Sequence, residues 1–170
     1  MDKPKSIPER IHIIGSIGKT TIAKVLSNQL NIQYYELDNV VWKRLDTGDI
    51  KRTEQERDEY LSSIITCENW IIEGVHHKWV SPCFEHADLI LFLDTNFSIR
   101  RFRIIKRFLK QKIGIEKANY KPTLKILQDL YNYNTVFENK SKKKIIVMLS
   151  PYKNKFIILK NNNEITNLFK

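Results

Sequence analysis

The stretch "IIGSIGKTT", residues 13–21, is the most informative part of the sequence about the fold. Its second half matches the phosphate-binding P-loop pattern G-x-x-x-x-G-K-[ST], in which backbone amides surround a phosphate group. Gly18, Lys19 and Thr20 occupy the last three positions of the pattern, but Ile13 stands where the first glycine belongs. The nearest glycine is Gly15, so the loop is two residues shorter than the pattern.

The segments on either side of this loop have the pattern of a strand and a helix. "RIHII" (10–14) predicts a buried strand and "GKTTIAKVLSNQL" (18–30) predicts a helix. A helix N-terminus offers unpaired N–H groups and a partial positive charge, which favour a bound phosphate. Lys19 would reach the β- and γ-phosphates of a nucleotide, and Thr20 would ligate Mg²⁺. The predicted nucleotide-binding residues are Gly15, Ser16, Gly18, Lys19, Thr20 and Thr21.

The short loop has a physical cost. At about 3.3 Å per residue, losing two residues shortens the arc by roughly 7 Å and removes amide donors around the β-phosphate. Phosphate affinity then falls, unless Ile13 and Ile14 leave the strand and restore the length of the loop. β-Branched residues avoid the positive φ angles that such a loop uses, and strand pairing would be lost. The sequence leaves both alternatives open.

The rest of the chain alternates apolar strands with helical patterns. "TEQERDEYLSSIITC" (53–67) has the Thr and Glu of a capping box, and "KKIIVMLS" (143–150) fits a helix better than a strand because of its position. The alternation predicts a three-layer α/β/α sandwich with right-handed crossovers and a five-stranded parallel sheet. The remaining predicted strands are "IQYYEL" (32–37), "WIIEG" (70–74), "DLILFLD" (88–94) and "FIILK" (156–160), with "NEITNLFK" (163–170) as a closing helix.

Length and composition favour one globular domain over residues 1–170. The 170 residues are 42% apolar and 28% charged, which excludes a disordered chain. The sequence has no apolar run long enough to span a bilayer, and "MDKPKSIPER" lacks the features of a signal peptide. We therefore expect a cytoplasmic protein without a membrane partner, whose Cys67 and Cys83 are reduced.

Positive charge is concentrated in the second half of the chain. Residues 1–85 carry 11 basic and 13 acidic side chains, whereas residues 86–170 carry 18 basic and 6 acidic side chains. Such a surface suits polyanions, so nonspecific nucleic-acid binding through this half is one possible function. The sequence shows no helix-turn-helix or zinc-finger pattern for reading bases. A lysine-rich solvated surface is the alternative for the residues after Lys140.

Two carboxylates follow predicted strands at the edge where ligands bind in such sheets. Asp38 follows the second strand and is predicted to orient an acceptor hydroxyl or Mg²⁺-bound phosphate. Glu73 ends a buried strand, and a nearby Lys19 or Mg²⁺ would compensate its charge, so we assign it a Walker-B-like metal role. Asp94 is expected to cap the helix that follows it. His76 and His77, which come shortly after Glu73, are interpreted as loop residues.

The segment "SIRRFRIIKRFLKQK" (98–112) predicts a basic amphipathic helix. Its candidate catalytic residues are Arg100, Arg103 and Arg107, whose positive charges can stabilise a phosphoryl group. These three and Lys110 fall within about 80° of arc, and the opposite side holds Ile99, Phe102, Ile105, Phe108 and Leu109. "IGIEKANYKP" (113–122) would form a lid-like connection, so that the basic lid-like segment covers about residues 100–122, and Pro122 would begin the next helix.

Several of these segments together resemble the bacterial DNA topology modulation proteins, an adenylate-kinase-like group of P-loop proteins. The resemblance rests on Leu-Asp-x-x-x-Trp from Leu37, Trp-Ile-Ile-Glu-Gly from Trp70, and Ala-Asp before an apolar strand that ends in Leu93 and Asp94. The group usually has a longer glycine-rich loop, and Asp where this chain has Glu73. The resemblance implies a nucleoside-monophosphate-kinase-like fold with strand order 2-3-1-4-5 and ATP binding.

Two functions follow from these observations. The first is an ATP- and Mg²⁺-dependent phosphotransferase acting on a small acceptor, with Lys19, Asp38 and the three arginines as catalytic groups and Thr20 and Glu73 at the metal. The second is a weakly active or inactive P-loop protein that binds nucleic acid and affects DNA topology.

Overall fold

A computed structural model describes residues 7–116 and 122–168 of the chain. Helices alternate with strands along most of this length. The strands are β1 (Arg10–Gly15), β2 (Tyr34–Glu36), β3 (Trp42–Lys43), β4 (Ile50–Lys51), β5 (Trp70–Gly74), β6 (Leu89–Leu93) and β7 (Phe156–Leu159). The α-helices are α1 (Lys19–Leu30), α2 (Leu37–Val41), α3 (Glu54–Ile65), α4 (Ser81–His86), α5 (Phe97–Lys112), α6 (Leu124–Val136), α7 (Lys142–Leu149) and α8 (Ile165–Leu168). A π-helix (Phe137–Ser141) and two 3₁₀ helices (Ser150–Lys155 and Asn162–Glu164) complete the described elements.

Five of the strands form a parallel sheet in the order β2-β5-β1-β6-β7. Counted among these five strands alone, this is the order 2-3-1-4-5, so the predicted fold class is confirmed. The other two strands, β3 and β4, form a short antiparallel hairpin that the sequence analysis did not predict.

The two faces of the central strand β1 pack against different helices, because successive side chains of a strand point to opposite sides. Ile11 and Ile13 belong to an apolar cluster with Ile22 and Leu26 of α1. His12, on the other face, stacks edge-on against Phe84 of α4. The sheet is therefore the middle of three layers.

Most helix predictions are confirmed, with changes at the ends. Thr53 forms the predicted capping box with Glu56, and residues 142–149 are helical. The helix predicted to begin at Pro122 begins at Leu124, because the Thr123 side chain accepts the N-terminal hydrogen bond from Ile126. The predicted lid-like connection (113–122) falls partly on residues 117–121, outside the described residues.

The described residues divide into two compact units. The first unit comprises the residues up to Asp94 and those from Pro151 onward, and includes the parallel sheet. The second unit, Thr95–Ser150, contains α5, α6, the π-helix and α7. None of the helices in the described residues has the length and apolar character needed to cross a membrane.

His12 is a buried polar residue in the middle of the sheet. Its side chain is fully buried, and neither ring nitrogen has a hydrogen-bond partner among the described residues. Burial disfavours the charged imidazolium and lowers the pKa of His12 from 6.5 to about 3. Folding therefore requires this histidine to be neutral.

This burial predicts an acid-sensitive core. Below pH 6.5 the unfolded chain binds a proton at His12 that the folded chain excludes, so stability falls by about 1.4 kcal/mol per pH unit from this group. We expect His12→Leu to remove this part of the acid dependence. Denaturant unfolding of both proteins between pH 7 and pH 4 measures it, and equal pH slopes would contradict the assignment.

Candidate functional site

The turn between β1 and α1 is as short as the sequence indicates. Ile13 and Ile14 remain in β1, where they pair with β5 on one side and β6 on the other. The alternative in which these residues leave the strand to lengthen the loop is therefore wrong. Only Ser16, Ile17 and Gly18 separate the strand from the helix.

The turn begins with a close approach of Gly15 to β6. Gly15 has a φ of +126°, and a Cβ atom there would lie 2.5 Å from the Leu93 carbonyl oxygen. That oxygen accepts hydrogen bonds from the Ser16 amide at 2.9 Å and from the Ser16 hydroxyl at 3.0 Å. Since its amide already has this partner, Ser16 does not offer that donor to an anion.

The close contact between Gly15 and the Leu93 backbone predicts that Gly15→Ala lowers the free energy of unfolding by about 3 kcal/mol or more. Backbone strain and steric overlap both contribute to this loss. Gly48 is a matched control, because its φ is +124° but a Cβ there would have no atom within 4 Å. We expect Gly48→Ala to cost only about 1 kcal/mol. Chemical denaturation measures both values, and equal losses would show that the contact with Leu93 is unimportant.

Lys19 folds back over the turn. Its ammonium group donates a hydrogen bond of 2.9 Å to the Ser16 carbonyl oxygen, and the side chain is buried. The Gly18 carbonyl oxygen accepts from the Ile22 amide and from the Asn162 side chain in the same unit. The Lys19 ammonium group has three N–H donors, so it can contact a phosphate oxygen while it keeps the Ser16 carbonyl.

Thr20 and Glu73 meet at the end of the central strands. The Thr20 hydroxyl donates to Glu73 at 2.5 Å, while Thr21 is exposed on the same helical turn. Glu73 is only 5% exposed, and its burial raises the pKa of the carboxyl group above the ordinary value. The Lys19 charge and the Thr20 hydrogen bond act in the opposite direction without cancelling the effect of burial.

The Thr20 and Glu73 oxygens fit a magnesium ion. Mg²⁺ prefers hard oxygen ligands and is usually held by one or two protein groups together with substrate phosphates and water. Residues 7–116 and 122–168 contain no cluster of three or more His, Cys, Asp or Glu side chains arranged for a metal. Such a cluster is not needed if Mg²⁺ takes two ligands from the protein, the Thr20 hydroxyl and the Glu73 carboxylate, and the others from nucleotide phosphates and water.

Glu73 is expected to reduce the stability of the fold at neutral pH. Because its folded-state pKa is raised, the folded chain holds the proton more tightly, and stability falls as the pH rises through 4.5 and above. We expect Glu73→Gln to be more stable than wild type at pH 7 and to lose this pH dependence. Thermal unfolding across this range measures the difference, with exposed Glu68→Gln as the control. A less stable Glu73→Gln would contradict the analysis.

Asp38 lies in the first turn of α2 and contacts His76. The His76 Nε2 atom is 3.4 Å from an Asp38 carboxylate oxygen, and this contact lowers the pKa of Asp38 more than burial raises it. Asp38 is exposed, and Lys19 is close enough to lower the pKa of Asp38 further. His76 lies in a loop, as the sequence predicts, and only the structure shows its contact with the candidate site residue Asp38.

Asp94 has a different role from the helix cap expected for it. It is buried and forms an ion pair with Lys160 at 2.6 Å, which joins the ends of β6 and β7. The cap of α5 is Asn96, whose side chain accepts from the Ser98 amide.

The three arginines of α5 have unequal environments. Arg100 is fully buried, forms an ion pair with Glu138 and lies over the Phe137 ring. This environment does not favour the predicted role of Arg100 as a clamp for the transferring phosphoryl group, since its charge is already paired inside the second unit. Arg103 is half-buried, and Arg107 is exposed and paired with Glu116 at 3.3 Å.

The fold is shared with two kinases of known structure. The structure is similar to a gluconokinase from Sinorhizobium meliloti 1021, with a TM-score of 0.52, 13% identity and coverage of 96% of this chain and 90% of that chain. It is also similar to a shikimate kinase from Bacteroides thetaiotaomicron, with a TM-score of 0.50, 17% identity and coverage of 95% and 94%. No protein-family model and no curated protein matches the sequence.

Proposed function

We propose that the protein is a P-loop phosphotransferase that uses ATP and Mg²⁺ to phosphorylate a small hydroxyl-bearing acceptor. The single observation that supports this most is the hydrogen bond from Thr20 to Glu73, with Lys19 close enough to influence the carboxylate. These are the residue types and the strand ends that bind a nucleotide and its metal in P-loop proteins.

Each group at this edge has a distinct proposed role. The amides at the start of α1, including that of Thr21, and the Lys19 ammonium group would bind the phosphates. Gly15 at the end of β1 and the turn residues Ser16 and Gly18 would position this helix start. Thr20 and Glu73 would hold Mg²⁺, which when bound neutralises charge on the phosphate oxygens. The short turn provides fewer amides than a full P-loop, so Lys19 carries a larger share of the binding.

Asp38 is the proposed acceptor-binding group. Its lowered pKa favours the charged carboxylate, which can accept a hydrogen bond from an acceptor hydroxyl and orient it. His76 holds this carboxylate in place. The similar structures are a gluconokinase and a shikimate kinase, which favours a small-molecule acceptor.

Arg103 and Arg107 remain the candidate cations for the transferring phosphoryl group on the sequence evidence, and Arg100 is not included because its side chain is fully buried. Phosphoryl transfer depends mainly on positioning and on neutralisation of charge. Removal of either arginine should therefore lower turnover more than it changes the binding of ATP.

The resemblance to the DNA topology modulation group motivates the alternative of nucleic-acid binding. Its support is the positive charge of residues 86–170, and no contact in the described residues adds to it. The phosphotransferase is favoured because the Lys19, Thr20 and Glu73 arrangement has no use in nonspecific DNA binding. An ATP-dependent enzyme of this kind fits the expected cytoplasmic location.

A thermal-shift titration with ATP and Mg²⁺ tests the proposal. ATP at 100 times its dissociation constant should stabilise the wild type by about 2.7 kcal/mol. Lys19→Ala should abolish the shift, because it removes the ammonium group on which a short loop depends. Lys24→Ala is the matched control, since Lys24 is exposed on the same helix.

The absence of a shift in the wild type, or an equal shift in Lys19→Ala, would defeat the nucleotide-binding proposal. Binding to duplex DNA that falls roughly 10³-fold between 50 and 200 mM salt, without any effect of Lys19→Ala, would instead support the nucleic-acid alternative.

A further inference from the structure

Helix α5 exposes a continuous apolar stripe. Five large side chains along it and at its C-terminal end are 40–67% exposed, although each is aliphatic or aromatic. They are Ile99, Phe102, Ile105, Leu109 and Ile113. With 100° of rotation per residue, these positions occupy one arc of about 120°. Exposed apolar surface of this extent on one face usually marks an interaction site.

The side of α5 that packs inside the protein is the opposite one. Its buried residues are Arg100, Ile104, Phe108 and Gln111, centred roughly 150° away from the apolar stripe. Burial therefore does not follow polarity on this helix, because an arginine is inside and a phenylalanine is outside. The stripe is not needed to hold α5 on its own unit.

Basic side chains border the stripe on both sides. Lys110 lies along one edge with Lys106 just inside it, and Arg101 and Lys112 lie along the other edge. The helix has no acidic residue between Phe97 and Lys112. A partner that matches an apolar centre with cationic edges needs two properties. It needs an apolar interior, and it needs negative charge at the boundary between that interior and water.

We propose that the α5 stripe binds the surface of an anionic lipid membrane. The helix would lie in the interface with Phe102 and Leu109 among the acyl chains, while the flanking lysines and arginines extend to the lipid phosphates. The stripe contains none of the residues assigned to the proposed phosphotransferase site, and it would bring the protein to the membrane.

Charge complementarity distinguishes this partner from the others. A second copy of the chain would place two strongly basic helices against each other, which like-charge repulsion opposes. A nucleic acid would meet the cations but would leave four aliphatic side chains against a polyanion. The expectation of no membrane partner rested on the lack of a spanning segment, which a helix lying in the headgroup region does not require.

Vesicle flotation of the full chain tests the proposal. The probes are vesicles of phosphatidylcholine alone and of an equimolar mixture of phosphatidylcholine and phosphatidylglycerol. We expect the wild type to float with the mixed vesicles and not with phosphatidylcholine. Phe102→Gln combined with Leu109→Gln should lower the partition coefficient about tenfold or more, because both side chains contribute apolar contact. Val147→Gln, at a residue 71% exposed on α7, is the matched control and should bind like wild type.

Three results would overturn the proposal. The first is a wild type that does not float with anionic vesicles. The second is a double variant that floats as well as wild type, which together with salt-sensitive binding to duplex DNA would assign the charge to a polyanion. The third is a Val147→Gln loss equal to that of the double variant. If sedimentation shows wild-type dimers that the double variant lacks, without flotation of either, the stripe is a contact between copies. None of these results depends on ATP binding.

Discussion

The arrangement of the candidate site depends on the close contact between Gly15 and the backbone of Leu93. A side chain at position 15 would displace the last residue of β6, so only glycine lets the chain leave β1 beside its neighbour. Ser16 then closes the turn by donating twice to the Leu93 carbonyl oxygen. This short turn places the start of α1, with Lys19 and Thr20, at the ends of β1 and β5, where Glu73 is found.

Two carboxylates near Lys19 have opposite properties because their surroundings differ. Glu73 is buried, so removal of water raises its pKa, whereas exposed Asp38 accepts a contact from His76 that lowers its pKa. A protein that only needed stability would gain from an uncharged residue at Glu73. The buried carboxylate beside a hydroxyl and an ammonium group is the observation on which the proposed nucleotide and metal site depends.

In the second unit, too, a charged side chain is buried, while apolar side chains of the same helix are exposed. Arg100 is inside, neutralised by Glu138 and covered by aromatic rings, while Ile99, Phe102 and Leu109 of the same helix face outward. An arginine whose charge is paired with a carboxylate can be accommodated in a protein interior, although burial of ion pairs adds little net stability. The apolar residues left outside are the basis for inferring that α5 has a partner beyond its own unit.

The amino-acid sequence alone predicts the parallel sheet, because buried parallel strands are continuous apolar runs. It also predicts two helix starts, because the capping box and the Gly-Lys-Thr stretch mark them. It also determined which residues meet at the strand ends, since parallel strands share one edge: Lys19, Thr20, Asp38 and Glu73. Other features became visible only in the folded structure. Ile13 and Ile14 stay paired in the sheet, and Lys19 contacts Ser16. His76 contacts Asp38, and α5 buries the side that contains Arg100. These facts depend on contacts between segments distant in sequence or on side-chain directions, and neither residue spacing nor hydrophobic periodicity contains that information.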